Sequence, residues 1–227
     1  MQESSKTVVL KIIESFNPNS ILDCPSGNGW LAKKLSCEAQ IDGLDLYECT
    51  QEGYRKTEKY DLNNGIPSTL PKYDCIACCE GIEHLGNPEF FFRTAKRHLN
   101  QGGKIIITTP NIWYPESKLQ FLLKGFFPSF PCLVGKIKKG AHMHIMPLSF
   151  PQIYLYLKLN EFKDIKLHYE ELSKPKHMYE RFIAIPQKLY CLNKKRNANS
   201  EEDKYFWEQC VSDPSLYGRH LIISARI

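Results

Sequence analysis

The stretch Ile21-Leu-Asp-Cys-Pro-Ser-Gly-Asn-Gly-Trp-Leu31 constrains the fold more than any other. Apolar residues run up to Asp23. A turn of small residues with Gly27 and Gly29 follows, and Trp30-Leu-Ala-Lys-Lys-Leu35 reads as the start of a helix. This is a strand–turn–helix unit. Open α/β sheets bind nucleotide-like ligands at such units, at the carboxyl end of a strand and beside a helix N-terminus. Glycines at 27 and 29 let ligand atoms approach the backbone, where a Cβ would obstruct them.

The rest of the chain alternates in the same way. Val9, Ile12, Ile13 and Phe16 share one face, which predicts a helix over 6–16 that Pro18 stops. Strands are expected at Ser20–Asp23 and Gln40–Leu46, with a helix over 28–36 between them. A polar segment spans 48–59, and Tyr60–Pro67 reads as a short third strand with a turn. Tyr73–Cys79 is a compact, mostly apolar run that suits a buried parallel strand. Asn87 and Pro88 open a helix that reaches Leu99. Lys104–Thr109, with three consecutive isoleucines, is the clearest strand. Beyond it a helix is expected near 116–124, another over 150–159, a strand over 165–170 and a helix near 178–192. A solvated loop over 193–203 and a final strand over 220–227 complete the reading. Alternation of this kind implies a Rossmann-like, doubly wound parallel sheet.

The 227 residues suffice for one sizeable core. A single domain over 1–227 is expected, with a cap inserted at 112–148 and a second insertion at 172–216. Nine cysteines, an odd number at irregular spacing, argue against a disulfide framework. Met1-Gln-Glu-Ser-Ser-Lys6 lacks the basic-then-apolar profile of a secretory leader, so a cytoplasmic setting is expected. No apolar run is long enough to span a bilayer. The net charge of +5 permits an anionic partner, but the positive charge is spread rather than gathered in a stripe, which disfavours nucleic acid.

Four acidic features fall at the carboxyl ends of successive strands: Asp23 with its glycines, Asp45, Asp61 beside Leu62, and Glu80 in Glu80-Gly-Ile-Glu-His-Leu85. With these, the chain resembles the class I S-adenosylmethionine-dependent methyltransferases over 20–110. Ile82-Glu-His-Leu85, Asn87-Pro88, Gly102-Gly103 and Thr109-Pro-Asn111 resemble the subgroup that includes ubiquinone-pathway and cell-surface-glycan methyltransferases. The resemblance implies a seven-stranded sheet whose last strand runs antiparallel between the fifth and sixth. It implies S-adenosylmethionine as cofactor, held by Asp23, Gly27 and Gly29, by Asp45 and Leu46 at the ribose, by Asp61 and Leu62 at the adenine, and by Glu80 near the methionine part. Pro25 stands where the family's first glycine belongs, and it fixes φ there near −65°.

Methyl transfer to a hydroxyl benefits from a general base. His84 is the first candidate, because it follows the fourth strand into the cleft. His144 is the second and His142 the third; Glu83 is a rival to His84. The expected acceptor is a sugar hydroxyl of a nucleotide-linked, lipid-linked or polymeric surface glycan, with a quinone-type ring hydroxyl second and a non-catalytic cofactor binder as a further reading. The aromatic and basic segment over 112–139 could touch a membrane surface. Tyr114 and Lys118 have the spacing of a short-chain dehydrogenase pair, but Pro115 lies inside it. No metal is expected. Cys75, Cys78 and Cys79 alternate faces on a strand, and His142 and His144 lack an evident third ligand.

Overall fold

A computed structural model describes residues 1–47, 52–130 and 143–227. Helix α1 (Glu3–Glu14) leads into β1 (Ser20–Asp23), and the glycine turn connects β1 to the short helix α2 (Trp30–Lys34). Strands β2 (Gln40–Asp45), β3 (Lys56–Lys59) and β4 (Tyr73–Cys79) follow. Helix α3 (Pro88–Arg97) packs beside β5 (Leu99–Pro110), and α4 (Pro115–Lys124) starts beyond the carboxyl end of β5. The chain ends with α5 (Phe150–Leu159), β6 (Lys163–Leu167), α6 (Met178–Arg196), α7 (Glu201–Val211), α8 (Asp213–Leu216) and β7 (His220–Arg226).

The seven strands form one sheet in the order β3-β2-β1-β4-β5-β7-β6. The pairings from β3 through β5 are parallel, and β7 runs antiparallel to both β5 and β6. Strand order reverses between β1 and β4. Loops leaving those two strands diverge to opposite faces there, and the crevice between them is where such sheets bind ligands. The glycine turn and Glu80 flank this crevice.

Both faces of the sheet are covered, so alternate residues of one strand enter different cores. Leu22, Ile76, Cys78, Ile105 and Ile107 pack with Phe91, Phe92 and Phe150. Ile21, Cys75, Ala77, Cys79 and Ile106 pack with Val9 and Ile13 of α1. The three cysteines of β4 are thereby split between two layers, and burial pushes each thiol up.

Several boundaries differ from the sequence reading. The third strand is Lys56–Lys59, and Asp61 instead caps a 3₁₀ turn over Leu62–Asn64. Lys-Thr-Glu-Lys carries no apolar run because β3 is an edge strand, where charged residues discourage pairing with other chains. Strand β5 begins at Leu99, through a Gly102 with φ of +77°. Strand β6 is Lys163–Leu167, earlier than expected, and Glu170 beyond it accepts a 2.6 Å hydrogen bond from Ser5 Oγ. Most of the expected loop over 193–203 is helix. Lys194, Lys195 and Arg196 close α6, and Glu201, Glu202 and Asp203 open α7 behind a Ser200 cap. A basic block followed by an acidic one is what two successive helix dipoles favour. Lys136, Lys138, Lys139 and His142 lie outside the described residues. Among the described residues no helix is long and apolar enough to cross a membrane.

Candidate active site

Asp23 ends β1 with its side chain fully buried. The Tyr54 hydroxyl donates to Oδ2, while Oδ1 has no hydrogen-bond partner among the described residues. Burial pushes the carboxyl up to about 7; the Tyr54 bond opposes the shift and the Asp45 charge adds to it. Asp23 lines neither of the cavities described below. It lies beneath the turn that it introduces.

The turn itself is held from the next strand. Gly27 N–H donates to Asp45 Oδ2 at 2.9 Å, and Ser26 N–H donates to the Leu44 carbonyl at 2.9 Å. Gly27 and Gly29 both have positive φ, +54° and +70°. A Cβ on Gly27 would meet nothing within 4 Å. Its constraint is therefore the left-handed backbone, and the space beside it is open to a ligand.

Pro25 has a partner that sequence reading missed. A Cβ on Gly81 would lie 2.2 Å from Pro25 Cδ and 2.9 Å from Pro25 Cγ. The pyrrolidine ring thus occupies the space that Gly81 leaves open, just past β4. The signal was the glycine inside Glu80-Gly-Ile-Glu-His84, but nothing local says what it faces.

Two cavities run along the carboxyl edge of β1, β2 and β4. One, of about 240 Å³, is lined by Leu46, Tyr60, Asp61, Leu62, Leu85 and Ile145, among others. The other, of about 510 Å³, is lined by Ser26, Gly27, Trp30, Glu80 and His144, with Met1 and Lys6 of the α1 region. Pro25, Asp45 and His84 line both. A first, mostly apolar chamber thus continues into a polar one, and together they have the scale of a small-molecule site. Of the expected cofactor residues, Pro25, Gly27, Asp45, Leu46, Asp61, Leu62 and Glu80 line this pair. Gly29 instead sets the entry to α2.

Glu80 stands at φ +52°. Thr108 Oγ1 donates to its Oε1 at 2.9 Å, and His220 Nε2 lies 3.4 Å from its Oε2. Burial opposes ionisation, but the His220 contact and the Thr108 bond outweigh it, so the pKa falls below the ordinary value. The polar chamber therefore keeps a fixed carboxylate, suited to an ammonium group. His220, at the start of β7, is a second residue that the sequence did not point to.

Glu83 behaves in the opposite way. Its side chain is fully buried, and Thr109 Oγ1 donates to Oε2 at 3.0 Å. Burial first, and Glu80 second, push its carboxyl up to about 8. It lines neither cavity, and the upward shift favours its neutral form. Its main-chain carbonyl accepts the N–H groups of Ile145 and Met146, both at 2.9 Å, and so fastens this segment over the cleft.

The fastened segment fixes the histidines. His84 Nδ1 lies 3.0 Å from the Met143 carbonyl. A carbonyl only accepts, so Nδ1 carries the hydrogen, and in the neutral ring Nε2 carries the lone pair. His144 meets His84 edge-on, with ring centroids 4.8 Å apart, and Phe130 also meets it edge-on at 5.5 Å. Burial, and then the nearby His84, push the His144 pKa down. Glu83, His84 and His144 bring potential ligand atoms within 4.8 Å of one another. Donors on one tetrahedral ion stand roughly 3.3 Å apart, so a metal would have to draw this group inward.

The dehydrogenase-like pair is engaged elsewhere. Tyr114 lies under the Arg219 guanidinium at 4.4 Å, and Lys118 lies over Trp113 at 5.7 Å. Neither lines the paired cavities.

A parallel sheet with an antiparallel seventh strand between β5 and β6, and a ligand crevice over β1 and β4, defines the class I S-adenosylmethionine-dependent methyltransferases. The model of the methyltransferase domain family matches residues 2–146, and the chain belongs to that family. It is 27% identical over 161 residues to a ubiquinone biosynthesis O-methyltransferase of Rickettsia akari, covering 65% of this chain and 61% of that protein. It is 25% identical over 211 residues to a protein of the same name from Rickettsia felis, covering 86% of this chain and 83% of that one. Among solved structures it is similar to a SAM-dependent methyltransferase from Archaeoglobus fulgidus, with a TM-score of 0.56 and 18% identity over 98% of this chain and 94% of the other.

Proposed function

We propose that this chain transfers a methyl group from S-adenosylmethionine to a hydroxyl of a small acceptor, in first place a quinone-type ring. The observation that carries the reading is the position of His84. It lines both chambers, and Met143 holds its tautomer with Nε2 as the basic atom. When bound, the cofactor supplies an activated methyl carbon on a sulfonium. Asp45 would accept hydrogen bonds from ribose hydroxyls, Asp61 and Leu62 would border the adenine, and Glu80 would hold the amino group. His84 would take the acceptor's hydroxyl proton, with His144 beside it lowering the tendency of the pair to charge together. Glu83 and Asp23 act from behind, as positioning residues.

The names of the Rickettsia relatives favour the ring acceptor over the glycan hydroxyl that the sequence reading placed first. The test is a methyl-transfer screen over catechol-type rings and nucleotide sugars. A ring product is expected. His84→Asn should lower turnover by about 10²–10⁴-fold with cofactor affinity unchanged. Transfer only to sugars would reverse the order of acceptors. Cofactor binding with no transfer to any acceptor would leave a non-catalytic binder.

A further inference from the structure

We propose that the outward face of α6, with the end of α4 beside it, docks on a membrane surface rich in anionic lipid. This inference rests on surface residues and is independent of the proposed reaction.

Helix α6 packs inward through Glu180, Ala184 and Cys191, all buried. Met178, Phe182, Ile185, Leu189 and Leu192 recur at steps of three and four, so they form a single stripe. At about 100° per residue that stripe lies on the side of the helix opposite the buried set. All five are exposed; Phe182 is 66% and Leu189 61% accessible. A helix on the surface of a globular protein ordinarily turns its apolar stripe inward and its charges outward. Here the outward stripe is apolar, and among the described residues nothing covers it.

The charges select the occupant. The only carboxylate in α6 is Glu180, which is buried and paired with Arg219. On one flank of the stripe stand Arg181, Lys188 and Lys195, of which Lys195 reaches Glu208 of α7 at 3.3 Å. On the other flank stand Tyr179 and Tyr190, both exposed. Arg196 closes the helix. Helix α4, which packs against α6, ends on Leu122 and Leu123, 80% and 71% accessible, followed by Lys124. An apolar centre with a basic border and tyrosines at its edge is the composition of a helix that lies in a bilayer interface. Anionic headgroups complement the cations, and acyl chains receive the stripe. A second copy laid antiparallel across a two-fold axis would instead set basic flank against basic flank.

The experiment is sedimentation of the full chain with vesicles of pure phosphatidylcholine and with vesicles containing roughly one-third phosphatidylglycerol. The chain should pellet with the anionic vesicles and not with the neutral ones, and high salt should weaken pelleting. The Phe182→Glu, Leu189→Glu double variant should lose about tenfold or more in apparent affinity. Its thermal unfolding and its heat of S-adenosylmethionine binding should match the parent, because both positions face solvent. Failure to pellet with anionic vesicles overturns the proposal. So does equal pelleting with neutral vesicles, or a variant that pellets like the parent. A dimer that the double substitution dissociates would assign the stripe to self-association instead.

Discussion

Gly81→Ala tests how Pro25 is accommodated in the cofactor turn. The added Cβ would sit 2.2 Å from Pro25 Cδ and 3.2 Å from Cys78 Sγ. Ordinary carbon contacts begin about 1.2 Å further out than the first of these. Gly81 itself has φ of −126°, so alanine pays no left-handed penalty and the effect is steric. Pro25 belongs to a turn tied by Ser26 and Gly27 to β2, and Cys78 is fully buried. Neither side can yield freely. Overpacking of this kind costs roughly 1–3 kcal/mol. If the turn moves to relieve it, S-adenosylmethionine affinity falls by up to about five- to 160-fold. The assay is calorimetry with the cofactor, run beside urea unfolding. The decisive comparison is the double variant. In a Pro25→Gly background the pyrrolidine is gone, and Gly81→Ala should recover most of its loss, with a coupling of about 1–3 kcal/mol. An equal loss in both backgrounds would refute the reasoning.

Two further predictions concern stability. Glu83 releases its proton at about 8 in the folded chain and near the ordinary 4.5 when unfolded. The folded state therefore binds the extra proton between those values, and stability falls as pH rises through that window, by up to about 1.4 kcal/mol per pH unit. Glu83→Gln should flatten the slope between about pH 7 and 8, where histidines are already mostly neutral; an unchanged slope in urea titrations would contradict the assignment. Arg219→Ala should cost about 3–5 kcal/mol, because it strands the buried Glu180 carboxylate. A cost under about 1 kcal/mol would mean that water replaces the guanidinium.

Much of the fold was legible because its signals are local. The apolar run Tyr73–Cys79, the strand Ser20–Asp23 and the helix Phe150–Leu159 have the observed boundaries. Each is bounded by turn or cap residues and enters a core directly. Strand β3 was not legible, since an edge strand of Lys-Thr-Glu-Lys looks like a loop. The helix expected near 178–192 is most of α6, but its last turn and the helix α7 were missed because their end charges resemble a solvated loop. Within the site, the positions of Asp45 and His84 followed from strand ends. The Pro25–Gly81 contact and the Glu80–His220 pair could not follow, because each joins segments distant in sequence. The same is true of the raised pKa of Glu83. It comes from burial first and the nearby Glu80 second, and no pattern of residue types near position 83 encodes the burial.

The central claim is that S-adenosylmethionine binds where the two chambers meet, with Asp45 at the junction. Calorimetry of the cofactor against the parent chain and Asp45→Ala tests it most directly. The parent should bind S-adenosylmethionine and not NAD. The variant should lose both the ribose contacts and the Gly27 tie of the turn, weakening binding by about tenfold or more. No heat with the parent chain, or an unchanged affinity in Asp45→Ala, would contradict the account.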